Sequence, residues 1–430
     1  MTAVTATPSS APIVREKAIR RDLKAPIALD VFAIFALVLA FVAPRPGSST
    51  FGLSTSKDAL QIPALVVPAT LTITVIAIML VVLAVLAHVW SARSATGKVP
   101  LWLIAVFGVL FLIAFLAWAA AGSRPIPVPG LLVGALALST PIIFGALGGV
   151  IGERAGVVNV AIEGQLLLGA FSAAFVGSVT HQPVLGLIAA MVGSVLLSFV
   201  LAVFAIRYIV EQVIVGVVLN VLVAGLTNFL YSKVLTSNGP QFNSTERFPQ
   251  LPIPGLSEIP IIGPVFFRQT IIVYLMYFAV FMVWFGLYKT RWGLRVRAVG
   301  EHPTAADTVG INVNRTRFWT VALAGAVAGM GGAYFTLDAV SSFNKEMTNG
   351  LGFIALAAVI FGRWHPLRAT LAALLFGFAT NLQSVLGIIG SPVPSEFMLM
   401  LPYIVTIFAV AGLVGTSRAP AADGKPYIKS

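Results

Sequence analysis

Apolar runs recur along almost the whole chain, most of them long enough to cross a bilayer and nearly free of charged residues. A spanning helix needs roughly 20 such residues, and in lipid every backbone N–H and C=O must be satisfied within the protein itself. The pattern therefore predicts an all-α fold, a polytopic membrane helical bundle of about 10–12 transmembrane segments. Composition agrees. Of the 430 residues, 58% are hydrophobic and 10% are charged, against roughly 25% charged in a soluble domain. The formal net charge of +12 then reads as Lys and Arg holding loops on the inner side of the membrane. It is not a signal for nucleic acid.

In order, the expected spans are 27–43, 65–87, 101–121, 131–151, 166–180, 184–206, 211–230, 271–288, 318–337, a short piece at 350–361, 369–389 and 397–413. Residues 1–26 read as a polar tail ending in a basic cluster, Arg15, Lys17, Arg20, Arg21 and Lys24. That cluster places the N-terminus inside and makes the first run a retained signal anchor. The loop with Arg93 and Lys98, the loop at 289–317, and the tail at 415–430 with Arg418, Lys425 and Lys429 fall on the same side. Both termini are thus expected in the cytoplasm, with the chain multi-pass in the cell membrane. The three spans within 27–130 form an accessory block with no nameable motif, and Asp30 there reads as a solvated interfacial charge. The proline-rich join at 122–130 separates this block from a transport core at 131–414.

Several polar features interrupt the core. The piece at 350–361 is too short for an upright span, so a half-helix or a tilted crossing fits it. The stretch GERAGVVNVAIEGQ at 152–165 sets Glu153, Arg154, Asn159, Glu163 and Gln165 among apolar residues. Two readings fit it: a broken or re-entrant segment beside a polar path, or a short amphipathic helix at the membrane edge. Asn220 and Asn228 are spaced by about two helical turns and share a face; they either join helices or line a path. Gly325 and Gly329 form a GxxxG pair suited to close helix contact.

The longest polar interruption of the second half is GLRVRAVGEHPTAADTVGINVNRTR at 293–317. Pro303 suits a first helical position, where its missing N–H is not needed. Residues 304–309 make two turns, and Gly310 supplies a left-handed stop. Ala305, Ala306 and Val309 would give this helix a small, weakly apolar face, with Arg295, Arg297, Arg315 and Arg317 on its flanks. It reads as a helix that docks in another protein's groove, or as a plain loop with one helical turn.

Several chemistries are missing from the sequence. It contains no G-x-x-x-x-G-K-[ST] phosphate loop, no cluster of metal-ligand spacing, no nucleophile elbow and no cysteine. Its four histidines, His88, His181, His302 and His365, are scattered near expected membrane edges. No catalytic residue, metal or cofactor is expected in this chain, and it does not read as an enzyme. Acidic residues inside the spans are scarce, which speaks against an ion-coupled carrier.

The run GEHPTAADTVGINVNRTR, followed by ALAGAVAGMGGAYF, resembles the coupling loop of ABC importer permeases. The branch concerned takes in branched-chain amino acid, ribose-type sugar and nucleoside permeases. The pattern E-R-x-G-V-x-N-x-x-I-E-G, carried by Glu153, Arg154, Gly156, Val157, Asn159, Ile162, Glu163 and Gly164, is similar to the nucleoside permeases, as is GFIALAAVIFGRWHP. The resemblance covers about 131–414. It implies the membrane-spanning permease subunit of an ATP-driven importer, taking up nucleosides, with ribose or another simple sugar as the alternative and an ion-coupled secondary transporter more remote. ATP and Mg would be bound by a partner ATPase. Coupling would fall to Arg295, Arg297, Glu301, Pro303, Asp307 and Gly310. The substrate path would involve Asn159, Glu163, Asn220, Asn381 and Gln383, whose amides suit ribose hydroxyls or base edges. The implied partners are the ATPase subunits, a second and different permease, a small-molecule solute, and an extracellular substrate-binding protein docking on 232–268.

Overall fold

The computed structural model describes residues 23–94, 99–391, 393–394, 396–398, 400 and 418–429. The basic cluster at Arg15–Arg21, Lys98 and most of the span expected at 397–413 lie outside the described residues. Contacts divide the chain into two units, 1–47 with 68–118, and 48–67 with 119–430. Among the described residues, ten helices are long and apolar enough to cross a membrane, and one shorter apolar helix joins them. The chain is a polytopic helical bundle.

The first unit holds three helices, α1 (Lys24–Phe41), α2 (Ala69–Arg93) and α3 (Leu101–Ala119). α1 and α2 pack against each other, burying Ala33, Ala36 and Ala40 on one side and Ala77 and Ala84 on the other. Small residues let the two backbones approach, which matters where lipid is as apolar as a leucine side chain. Asp30 is not simply solvated: His88 of α2 lies 2.7 Å from its carboxylate. The second span starts later than expected, because 65–68 are extended and Pro68 precedes the helix.

The second unit begins with β1 (Ser48–Gly52), which lies between β2 (Leu65–Pro68) and β3 (Ile126–Pro127). β1 and β3 pair in parallel, Phe51 opposite Ile126. The bundle follows: α4 (Val128–Arg154), α5 (Ile162–Thr180), α6 (Pro183–Ala202) and α7 (Gln212–Leu230). Short π-helical turns extend α6 to Arg207 and α7 to Leu235. α7 starts where the Glu211 carboxylate accepts from the N–H groups of Val213 and Ile214, satisfying donors that a helix start leaves free. A segment with a short α8 (Gly239–Phe242) and the antiparallel pair β4 (Gln250–Pro252) and β5 (Arg268–Thr270) leads into α9 (Ile271–Lys289). Then come α10 (Arg291–Glu301), α11 (Pro303–Thr308), α12 (Val313–Tyr334), α13 (Leu351–Phe361) and α14 (Pro366–Ile389).

α12 sits at the centre, against α4, α5 and α6. A Cβ on Gly325 would strike the Ser198 hydroxyl, and one on Gly329 would meet the Ala190 carbonyl at 2.5 Å. The GxxxG pair is therefore a contact surface between backbones. The expected broken segment at 152–165 is neither re-entrant nor a surface helix. α4 runs on to Arg154, α5 begins at Ile162, and the residues between them make a tight turn. Gly156, at φ +87, allows the reversal, and the Val157 N–H donates to the Gly152 carbonyl at 3.2 Å. Val157, Asn159 and Ala161 are buried, because this turn packs inside the protein. The short piece is the half-length helix expected, α13.

Candidate functional site

One end of the core gathers most of its charged side chains. Thr290 caps α10 by accepting from the Gly293 N–H at 3.1 Å, and α10 presents Trp292, Leu294 and Arg295 outward. Arg297 is half-buried with its guanidinium 5.0 Å from the Tyr288 ring centre. α11 starts at Pro303 and the chain turns at Gly310, φ +86. Ala306 does not join the outer face with Ala305 and Val309. It is buried against Val299 and Val313, so the exposed small face consists of Ala305 and Val309, one turn apart. Glu301 sits 3.8 Å from Arg154 at the end of α4, and Asp307 sits 4.0 Å from Lys429.

Arg154 is the junction of this end. Its Nε donates to the Trp364 carbonyl at 2.8 Å, and its Nη2 to the Tyr288 hydroxyl at 3.3 Å and the Arg363 carbonyl at 3.4 Å. The neighbouring Glu153 accepts from the Trp364 indole N–H. A Cβ on Gly300 would run into the Arg154 carbonyl, so α10 lies directly on the α4–α5 turn. The GRWHP break gives this junction its shape, with Arg363 and Trp364 both left-handed, at φ 53 and 54. His365, at the start of α14, has its pKa lowered by burial and by the charges of Arg368 and Arg154.

Deeper in the bundle, three of the five expected path residues meet at the start of α5. Asn159 donates to Gln165 Oε1 at 3.0 Å, and Gln165 donates to the Ser198 hydroxyl at 2.8 Å. Asn220 of α7 accepts from the Gly164 N–H at 2.8 Å and donates to the Val160 carbonyl at 2.9 Å. Glu163 accepts from the Thr348 hydroxyl at 2.6 Å, the Gly350 N–H at 2.9 Å and the Gly352 N–H at 2.6 Å. Its carboxylate thus closes the N-terminus of α13, where free N–H donors and the helix dipole favour negative charge. Asn381 lies elsewhere, donating to the Leu131 carbonyl at the start of α4 at 2.7 Å, and Gln383 is half-buried on α14. Asn228 is bonded to Glu346 at 3.1 Å, well away from the Asn220 cluster.

Two features escaped the reading of the sequence. Arg317, placed there on the flank of the short helix, is buried. It donates to the carbonyls of Ala155 at 3.1 Å, Lys425 at 2.9 Å and Ala422 at 3.4 Å. The C-terminal segment 418–429, read as a basic tail, packs on the charged end. The signal for Arg317 was a basic pair, Arg315 and Arg317, directly before an apolar run.

A membrane bundle with a short helix laid on its charged end defines the class, and comparison gives the family. The family described as "Branched-chain amino acid transport system / permease component" matches residues 131–410, and the chain belongs to it. Similar proteins include the guanosine ABC transporter permease protein NupQ of Bacillus subtilis, 42% identical over 68% of this chain and 95% of its own length. The nucleoside ABC transporter permease protein NupC of Lactococcus lactis is 42% identical over 69% and 95%. The putative glucose ABC transporter permease protein TsgC13 of Haloferax volcanii is 39% identical over 59% and 77%. No solved structure matches the chain significantly.

Proposed function

We propose that the chain is the membrane-spanning permease subunit of an ATP-driven importer of nucleosides. The observation that carries this reading is the likeness to NupQ and NupC, each 42% identical over 95% of its length. The likeness to TsgC13 favours a simple sugar as the second reading. The charged end faces the cytoplasm, in keeping with the excess of Lys and Arg there, and both termini lie on that side of the cell membrane. A separate ATPase binds ATP and Mg and docks on α11 through Ala305 and Val309. Arg295, Arg297, Glu301, Pro303, Asp307 and Gly310 shape or flank that contact. The chain itself carries no catalytic residue.

The solute passes along the joints that Asn159, Glu163 and Asn220 make around α5, with Asn381 and Gln383 on α14 contributing elsewhere on the path. A second, different permease completes the pore. Support comes from relatives that occur as two kinds in one organism, NupQ with NupP, and NupC with NupB. An extracellular binding protein delivers the solute to the opposite end, around β4 and β5. The test is uptake of radiolabelled uridine, adenosine and ribose by cells with and without this gene, repeated with a hydrolysis-dead partner ATPase. Nucleoside uptake lost in both cases is the expected result. Uptake that needs the gene but ignores the ATPase overturns the coupling, and uptake of ribose alone moves the substrate to the sugars.

A further inference from the structure

The segment 418–429 adds a second connection between two parts of the charged end that already touch where Gly300 meets the Arg154 carbonyl. On one side it holds the α10–α11 hairpin. The Ala422 N–H donates to the Gly300 carbonyl at 2.9 Å, and the Ala421 N–H donates to Glu301 Oε2 at 3.2 Å. Tyr427 packs against the Val299, Ala306 and Val313 cluster, close to Asp307. On the other side it holds the α4–α5 turn and α12. Arg317 grips the carbonyls of Lys425 and Ala422 while also holding that of Ala155. A Cβ on Gly156 would meet Arg317 Nη2 at 2.7 Å and the Ala422 carbonyl at 3.0 Å, so the turn and the segment fit each other closely.

Asp423 is the pin of this bridge. Its carboxyl is turned inward among Arg317, Arg154 and Glu153. Asp423 Oδ1 and Glu153 Oε1 are both buried without a hydrogen-bond partner, and the two carboxyls repel each other. Protonation of Asp423 would remove that repulsion. A loosely attached tail has no reason to bury such a group, since an uncompensated buried charge is costly.

We propose that 418–429 is a tie that fastens the coupling hairpin α10–α11 to the α4–α5 turn, so that displacement of one is passed to the other. The tie rests on the reading of α11 as the ATPase-docking element. It makes Asp423 and Arg317 positioning residues for transport: neither touches solute or nucleotide, and each acts through the hairpin. By this account the α4–α5 turn is the receiving part, and it carries Asn159 and leads straight into Glu163.

The test uses the complete transporter in proteoliposomes, with both permeases, the ATPase, the binding protein and labelled uridine. Three forms of this chain are compared with wild type: one ending before Arg418, Asp423→Ala and Asp423→Asn. Assembly with the ATPase and basal ATP hydrolysis should stay within about twofold of wild type in all three. Solute taken up per ATP hydrolysed should fall roughly tenfold in the shortened chain and in Asp423→Ala, the size of an ordinary coupling between sites. Asp423→Asn, which keeps the shape without the charge, should retain most of it. Wild-type stoichiometry in the shortened chain or in Asp423→Ala overturns the tie. If the shortened chain does not assemble, Asp423→Ala decides alone. A wild-type complex that hydrolyses ATP but ignores uridine counts against the substrate reading, and the tie is then read with whichever solute stimulates hydrolysis.

Discussion

α7 and α12 are both spans of the same unit, and they are built on opposite rules. α7 is dense in Val and Leu, and Val217, Val218, Val221, Leu222 and Leu226 are all exposed; only 28% of an 18-residue stretch of its span, Gln212–Leu235, is buried. α12 carries glycines and alanines where α7 carries bulk, and 83% of a matching stretch of Val313–Ala339 is buried. In water the bulky apolar helix would be the core. In lipid there is no hydrophobic force between helices, so bulky side chains face the acyl chains, and the core goes to helices that let backbones touch. The interior of this protein is marked by what the sequence leaves out at Gly325, Gly329 and Gly332.

The sharpest way to break this contrast is Gly329→Leu. The new side chain would meet the Ala190 carbonyl and Ser194, and a cost of about 3 kcal/mol is expected from overpacking. Thermal unfolding in detergent, followed by size exclusion, should show loss of the folded monodisperse species. Retention of wild-type stability would mean that α12 is not the packing core.

Next is Glu163→Gln. It removes charge from a carboxylate serving three donors, and about 2 kcal/mol is expected, the usual scale for hydrogen bonds to a charged group. Thermal unfolding checks this too, and an unchanged midpoint would show that α13 does not depend on the clasp.

The tail can be read through pH. Burial pushes the Asp423 carboxyl up to about 7 despite Arg317 and Arg154, far above roughly 3.9 for a free Asp. A carboxyl whose docked pKa is raised favours docking when protonated. Docking should therefore be strongest below roughly pH 4, weaken as pH rises through about 7, and change little above that. Amide exchange at 421–427 should accelerate about tenfold or more between pH 5.5 and 8 once corrected for intrinsic base catalysis, and Asp423→Asn should flatten the profile. A flat wild-type profile would remove the buried pair from the account.

Asn220→Leu should cost about 0.6 kcal/mol, a typical interhelical hydrogen bond in a membrane. The control, Val218→Ala on the lipid-facing side of α7, should lie within about 0.5 kcal/mol of wild type. If the control matched Gly329→Leu, the whole contrast would fail.

Much of the charged end was legible in the sequence because its devices are local. Pro303 at a helix start and Gly310 at a left-handed stop act through their own backbone, and the short α13 is announced by the glycines and the GRWHP break around it. The shape of the α4–α5 turn was not legible, because polar residues beside apolar ones look the same in a re-entrant segment, a surface helix and a tight turn packed against other helices. Asn159 donates to Gln165 there and Gln165 donates to Ser198, a relay that exists only once α5 and α6 are in place. Asp30 had the same problem, since its partner His88 lies on a different helix. Arg317 and Asp423 were least legible: each finds its partners more than a hundred residues away, and nothing periodic records such a contact.

The clasp on α13 also has an electrical consequence. A helix that begins inside a bundle offers a ring of N–H groups and a partial positive charge, the natural cradle for a phosphate. Here the cradle is already filled by the chain's own Glu163. A solute carrying a phosphate would meet a carboxylate at that point, whereas an uncharged one would not be repelled. On the proposed solute path, the clasp that anchors the half-helix would thus disfavour phosphorylated molecules over their neutral counterparts.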